Sequence, residues 1–308
     1  MFRTICLNIV LLLLSSSCSK HVLKRNHRGQ RVNTNRNYLN IDTIKKKVSI
    51  LAIFNESHYG SDDLAVTVTE ELKKEVRKTN QFILDPTGIK LYGSSKEVYS
   101  GGGVKLTQLA RKARIAGLNI VVFGRIVDAK IRQKQDEIGI FREIKSYSEV
   151  KLELKMFDVI ANKEIFSEVL NGYTDDKTFK LFSQDRDNQL LYRRELLRYT
   201  GKVAVRMALP KIIAISEKLD WMGRIAKVIG SKIYINAGRS SGIQISDILK
   251  VMTEGQEIYD PETGSLIGIS AGEVKGTIEI IDYFGPDGAI AVLHSGGSVL
   301  EGDFVQLY

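Results

Sequence analysis

The stretch Gly238-Arg239-Ser240-Ser241-Gly242 fits G-x-S-x-G, the pattern of a hydrolase nucleophile elbow. The chemistry would be acyl transfer. Ser240 would attack a carbonyl, a histidine would take its proton, and a carboxylate would orient the histidine. Acidic residues and His294 lie downstream, so the order Ser…Asp…His can be drawn. A working elbow also needs a buried strand, a strained serine turn and then a helix whose N-terminus helps build the oxyanion hole. Residues 232–236 supply the strand, but "IQISDILKVM" after Gly242 is rich in β-branched residues and predicts a second strand. His294 falls at the end of another strand, in "AIAVLHSGG". The expected element is therefore a strand–turn–strand corner. Gly238 and Gly242 let the chain turn, and Ser240 is a surface hydroxyl.

The other reactive residue types assemble no site. Gly101-Gly102-Gly103 lacks the G-K-[ST] ending that places a lysine and a hydroxyl on nucleotide phosphates, so "SSKEVYSGGG" reads as a flexible loop. His21 and His27 have no neighbouring ligands. The two cysteines, Cys6 and Cys18, are both near the N-terminus, which excludes a disulfide framework or thiolate metal cluster in the body. No carboxylate pair stands out. The expectation is a non-enzyme that needs no cofactor and no metal.

Cys18 has a chemistry of its own. "MFRTICLNIVLLLLSSSCSK" opens with Arg3, runs apolar from residue 5 to residue 14 and closes on small residues before the cysteine. The apolar run is too short to span a bilayer, which takes ~20 residues, and its order is that of a secretory signal. Small residues leading directly into a cysteine resemble a bacterial lipobox, with Ser15 where the strictest pattern has Leu. That resemblance implies cleavage before Cys18 and acylation of its thiol, giving a lipid anchor. Ser19 and Lys20 supply no inner-membrane retention aspartate, so the expected location is the periplasmic side of the envelope, at the outer membrane.

Charge narrows the partners. The net charge is +9, yet residues 1–47 hold ten Lys or Arg against the single acid Asp42, so the remainder balances at 35 of each sign. A neutral body gives no phosphate-tracking surface, and nucleic acid is excluded as a partner. Residues 18–46 are basic and almost without apolar periodicity, a composition that predicts a flexible tether. The expected organisation is a signal over 1–17, that tether, an α/β domain over 47–219 and a β domain over 220–308.

The elements follow from period. "VSILAIFNES" reads as a buried strand, and Leu64, Val68, Leu72 and Val76 recur at helical spacing after Ser61-Asp62-Asp63, which reads as the helix N-cap. A short strand at 81–85 follows, then a helix over 104–117 that turns Leu106, Leu109, Ala113 and Ala116 inward and stops at Gly117, then a buried strand from 118. In "SYSEVKLELKMFD", Val150, Leu152, Leu154 and Met156 face one side and Glu149, Lys151, Glu153 and Lys155 the other, as in a half-buried antiparallel strand. A hairpin at Asn162-Lys163 and a helix near 188–217, with Pro210 as a kink or boundary, complete this part. From Trp221 onward, short β-rich runs alternate with turn residues. Pro261 and Gly264 mark one turn in "YDPETGSLIG", and "GPDG" marks another. "IQISDILKV" and "VLEGDFVQL" form a quasi-repeat in which Asp247 and Asp303 each bond turn amides before an outgoing strand. This predicts a small closed barrel or sandwich with related corners.

The order "ILAIFNES", helix, short strand, "GLNIVVFGRI", hairpin and closing helix over residues 46–217 resembles the CsgG/TolB-N-like domain. That domain occurs in the curli secretion channel, in LpoB-type activators of cell-wall synthases and in the flagellar assembly protein T family. "GRIAKVIGSKIYINAGRSSGIQISDILKV", "DPETGSLIG", "KGTIEIIDYF" and "LEGDFV" resemble the C-terminal domain of the last family, in the same domain order. The fold class expected is α+β: a CsgG/TolB-N-like α/β domain followed by a small all-β barrel-like domain. The resemblance implies a non-enzymatic periplasmic scaffold at the flagellar basal body that forms a ring, hence a homo-oligomer, and recruits motor components among the envelope proteins. It transfers no site residues. The alternatives it implies are an LpoB-like activator and a CsgG-like secretion component. For a pore, the 146–158 strand offers only four apolar positions on its face.

Overall fold

The computed structural model describes residues 44–86, 93–135, 144–175, 179 and 189–308. Cys18, His21, His27 and the tether through residue 43 lie outside the described residues. The described residues lie in one compact unit.

Its first half is a mixed sheet with helices on both faces. In order along the chain come β1 (Lys46–Ile50), β2 (Phe54–Asn55), α1 (Ser61–Lys78), β3 (Phe82–Leu84), α2 (Ser95–Ile115), β4 (Ile120–Gln135), β5 (Ile144–Asp158), β6 (Lys163–Asp175) and α3 (Gln189–Ser216). The sheet order is β3-β1-β4-β5-β6, with β2 pairing β4. β1 runs parallel to β3 and β4, whereas β4, β5 and β6 are antiparallel. Alternation along the strands builds two cores. Ile120 and Val122 join Val150, Leu152, Leu154 and Met156 under α1 and α3. Val121, Phe123 and Phe157 turn to the other face and pack beneath α2 with Leu109 and Ala113. The four alternating β5 side chains are fully buried, each worth about 1.5–3 kcal/mol relative to exposure. Across the sheet edge α3 sits close to β6, because a Cβ on Gly172 would approach the Thr200 carbonyl oxygen to 2.5 Å.

Several local expectations change. Residues 95–103 are not a loop. They form the first half of α2, which Ser94 starts with a capping box: its hydroxyl accepts from the Glu97 amide while Glu97 reaches back. The triple glycine lies inside that helix and interrupts it at Gly102, whose φ of 56° and ψ of −150° are non-helical. At the start of α1, Gly60 occupies the N-cap position with φ 86° and gives no side-chain cap, so Ser61 does not cap the helix. Ala116 is exposed, and Ala110 and Arg114 are buried in its stead. α3 continues through Pro210 to Ser216.

The second half is a closed six-stranded barrel. Its strands are β7 (Met222–Ile229), β8 (Lys232–Ile235), β9 (Ile248–Met252), β12 (Val274–Phe284), β13 (Gly288–Gly296) and β14 (Phe304–Leu307). They close in the order β12-β13-β8-β7-β14-β9. Between β9 and β12 the chain leaves the barrel as an arm, the hairpin β10 (Glu257–Tyr259) and β11 (Leu266–Ile269). Closure removes free sheet edges, and the interior is filled. Ile225, Ile233, Ile235, Leu249, Val251, Ile278 and Ile280 are buried, with small Ala289 and Ala291 set opposite Ile235 and Ile233. Trp221 lies over Gly223 at the mouth.

The ring has an internal twofold pattern. Exchanging β7-β8-β9 with β12-β13-β14 leaves the strand order unchanged. The two aspartate corners occupy equivalent places. Asp247 accepts from the Gln244 amide at 2.7 Å and Asp303 from the Leu300 amide at 2.8 Å. The residue before each, Ser246 or Gly302, has positive φ. That residue's amide donates to Ile280 or Ile225, whose own amide donates back to the carbonyl of Asp247 or Asp303. The corners differ in burial: Asp303 is buried and ion-paired to Lys275 at 2.8 Å, whereas Asp247 is half-buried. Losing a hydrogen-bonded corner costs about 1 kcal/mol at a half-buried site and about 1–3 kcal/mol where the amides left unmet are buried. Asp303→Ala should therefore destabilise the chain more than Asp247→Ala does, measured by urea unfolding. Equal losses would mean the Lys275 pair adds nothing.

Candidate functional site: the joint between the sheet body and the barrel

The serine turn belongs to a polar joint. Gly238–Gly242 closes on itself, with the Gly242 amide donating to Arg239 and the Ile243 amide to Gly238, both at 3.0 Å. Gly242 has φ 87°, a left-handed conformation that glycine adopts without strain. The following strand begins only at Ile248, because 243–247 is spent on the Asp247 corner. Asp287, from the turn between β12 and β13, holds the loop. One carboxylate oxygen accepts from the Gly238 amide at 2.9 Å and the Ser241 amide at 2.8 Å, and the other accepts from the Ser241 hydroxyl at 2.5 Å. A Cβ on Gly238 would come within 2.4 Å of the Gly288 carbonyl oxygen. Ser240 is exposed, and its hydroxyl donates to the Pro286 carbonyl at 3.0 Å. His294 faces Glu279 at 3.7 Å on the barrel surface. Ser240 and His294 are thus each engaged elsewhere.

The other turn residues sit where turns occur. Pro261 and Gly264 lie in the tip of the β10–β11 arm, Gly264 with φ 64°. Asp260 accepts there from the Glu262 and Thr263 amides at 2.9 and 2.8 Å, and these hydrogen bonds hold its carboxyl below the usual range. Among the described residues no group of three or more His, Cys, Asp or Glu is placed to hold a metal, and no helix is long and apolar enough to cross a membrane.

The joint itself turns on Asn119, which is 2 % exposed. Its side-chain oxygen accepts from the Lys47 amide at 2.9 Å, and its own amide donates to the Lys47 carbonyl at 2.9 Å. Its side-chain nitrogen donates across to the Met222 carbonyl, at the first residue of β7, at 2.8 Å. Val159 donates to its carbonyl at 3.0 Å. One side chain therefore ties β1 of the body to β7 of the barrel. Lys47 reaches Asp287 at 3.3 Å and donates to the Asn236 carbonyl. The Lys45 amide donates to Ser241 at 2.9 Å, and Ile44 packs on the barrel core. Burial pushes the Lys46 ammonium below its usual range, opposed by Asp220 and Glu217. Gly117 has φ 74°, and a Cβ there would lie 1.8 Å from the Asn236 side chain.

Helix α2 adds a second seam. Arg111 lies on Glu257 of the arm, its Nε at 2.9 Å, and on the Tyr259 hydroxyl at 2.9 Å. Hydrogen bonds from Arg111 and Tyr259 bring the Glu257 carboxyl down to about 2, so the arm carries a charged anchor at every neutral pH. The Arg224 side chain donates to the Arg114 carbonyl at 3.3 Å. Asn119, Asp287, Arg111 and Arg114 are joint residues that the sequence alone does not single out. Asn119 had a local signal, a lone amide at the head of the apolar run "LNIVVF", and Arg114 falls on the inward face at Ala110 plus four. Asp287 read only as a turn residue.

No family model and no curated protein matches the chain. Solved structures with similar folds include a hypothetical protein from Chlamydia trachomatis at 14 % identity, covering 55 % of this chain and 95 % of that one with a TM-score of 0.35. A lipoprotein from Neisseria meningitidis matches at 10 % identity over 56 % of this chain and 99 % of that one, with a TM-score of 0.28. The LpoB C-terminal domain from Salmonella enterica matches at 14 % over 44 % and 86 %, with a TM-score of 0.27. At such scores the functional reading rests on the chain's own residues.

The joint is testable. Ser240→Ala should change stability by no more than about 0.5 kcal/mol. Asp287→Ala, which strands the Gly238 and Ser241 amides and leaves Lys47 only the Asn236 carbonyl, should cost about 2–3 kcal/mol in urea unfolding. A Ser240 change as costly as the Asp287 change would contradict this assignment.

Proposed function

We propose that the chain is a lipid-anchored protein of the bacterial envelope that acts by binding other envelope proteins rather than by catalysis. The observation that carries this reading is the order of its parts: an export-type signal ending at Cys18, a basic tether, then a body and barrel locked through Asn119. An anchored tether keeps the folded part near the membrane while leaving it free to search for a partner. A body and barrel held as one piece would present a fixed two-part surface, which lowers the ordering cost of association. The serine turn supports the same reading, since Ser241 is held by Asp287 and Ser240 by Pro286.

The domain order that resembles the flagellar assembly protein T family makes basal-body and motor components the first partner class, with ring formation from several copies. A second reading keeps the same anchor and body and makes the partner a cell-wall synthase, as in LpoB-type activators. The succession of lipobox, basic tether and α/β body favours it. It leaves the barrel as an additional contact surface. A secretion component is the third class.

The experiment has two arms. Labelled palmitate should enter the parent chain and not Cys18→Ala, and the variant should leave the membrane fraction; no incorporation into the parent contradicts the anchor. In-cell cross-linking of the parent should then recover motor components or a cell-wall synthase. Recovery of no motor component, synthase or secretion component, with unchanged motility in a deletion strain and unchanged synthase activity on adding the purified chain, would contradict the binding role.

A further inference from the structure

A cavity of about 280 Å³ opens where the end of α2 meets the root of the β10–β11 arm. Its walls include Met222, Met252, Ile269 and Phe304 from the barrel and arm, with Arg114 and Glu254 as its charged groups. The arm's root is rigidly shaped: a Cβ on Gly255 or Gly272 would lie 1.9 Å from the carbonyl oxygen of Ser270 or Thr253. The cavity is thus a gap between the end of α2 and a tightly built arm root.

Arg114 is 5 % exposed, an unusual position for a cation. Its Nε and one terminal nitrogen share a single acceptor, the Val159 carbonyl, at 3.4 and 3.2 Å. The other terminal nitrogen makes one contact with Glu254, at 3.3 Å. Guanidinium groups favour two-pronged pairing with a carboxylate, at about 2.7–2.9 Å. Glu254 supplies neither the second prong nor the short distance, and its side chain is 49 % exposed. Taking an arginine out of water without a well-formed partner costs several kcal/mol. The site therefore holds a buried cation with an incomplete partner at its mouth. Methionine walls adapt to apolar shapes, and the cavity has room for one large apolar residue.

We propose that this cavity binds an apolar residue bearing a free carboxylate, with the carboxylate displacing Glu254 from Arg114 and the side chain against Met222 and Met252. The source is the C-terminus of a peptide or a free amino acid. The inference stands on the cavity alone, so its failure leaves the envelope reading untouched.

The test follows the methyl signals of Met222 and Met252 in the purified full-length chain. The probes are N-acetyl-Leu-Leu as free acid, the same peptide as C-terminal amide, and free leucine. The acid should shift both methyls saturably, and the amide should bind at least about tenfold more weakly, having lost the charge-assisted pair. Glu254→Gln removes the competing carboxylate at an exposed position and should bind the acid about three- to tenfold more tightly. Arg114→Gln should lose binding while the remaining methionine signals report its fold. Binding of the peptide acid without free leucine assigns a chain terminus; equal binding assigns a free acid; both sustain the proposal. It is overturned if neither acid gives a saturable shift up to about 10 mM, if amide and acid bind equally, or if Glu254→Gln weakens binding.

Discussion

A buried carboxamide must find partners for both its oxygen and its nitrogen, because leaving either unmet costs about 1–3 kcal/mol. Asn119 meets that requirement by spending its oxygen on the body and its nitrogen on the barrel. The rest of the arrangement follows. β1 must lie beside the barrel for Lys47 to be in reach, so the chain enters the sheet alongside the serine turn. β7 must start where Met222 can accept, which sets the barrel at the end of the sheet that carries Asn119 and Val159. The arm between β9 and β12 then falls against α2, and the ion pair of Arg111 with Glu257 closes the second seam.

Within the barrel, one design is used twice. Two strands, a loop and a positive-φ residue before an aspartate make a corner, and the third strand of each set pairs with the third strand of the other. The two halves differ at their loops. In the first copy the loop is the glycine–serine turn, held by Asp287 and turned toward the body. In the second copy the corner aspartate is buried against Lys275. The G-x-S-x-G spacing thus reflects a loop that must turn tightly and meet a carboxylate. A nucleophile would need the reverse, a free hydroxyl beside a base.

What was legible in the sequence is what depends on period and local turn chemistry. The facing of Val150, Leu152, Leu154 and Met156, the apolar stripe of α1, and the paired corners at Asp247 and Asp303 all follow from residues a few positions apart. Residues 95–103 read as a loop because three glycines outweigh a capping box, although Ser94 and Glu97 stand at the required spacing. The joint was not legible for a different reason. Lys47, Asn119, Met222 and Asp287 are far apart along the chain, and no periodicity links an acceptor to a donor more than a hundred residues away. The resemblance to the flagellar assembly protein T family arose from order and pattern, and no family model matches the chain.

Body and barrel form one mechanical piece through the Asn119 joint. Differential scanning calorimetry of the parent and of Asn119→Ala tests it directly. The parent should show one transition, with calorimetric and van't Hoff enthalpies equal, and the variant separate transitions as barrel and body uncouple. Two transitions in the parent, or a variant that still unfolds as one unit with undiminished stability, would contradict it.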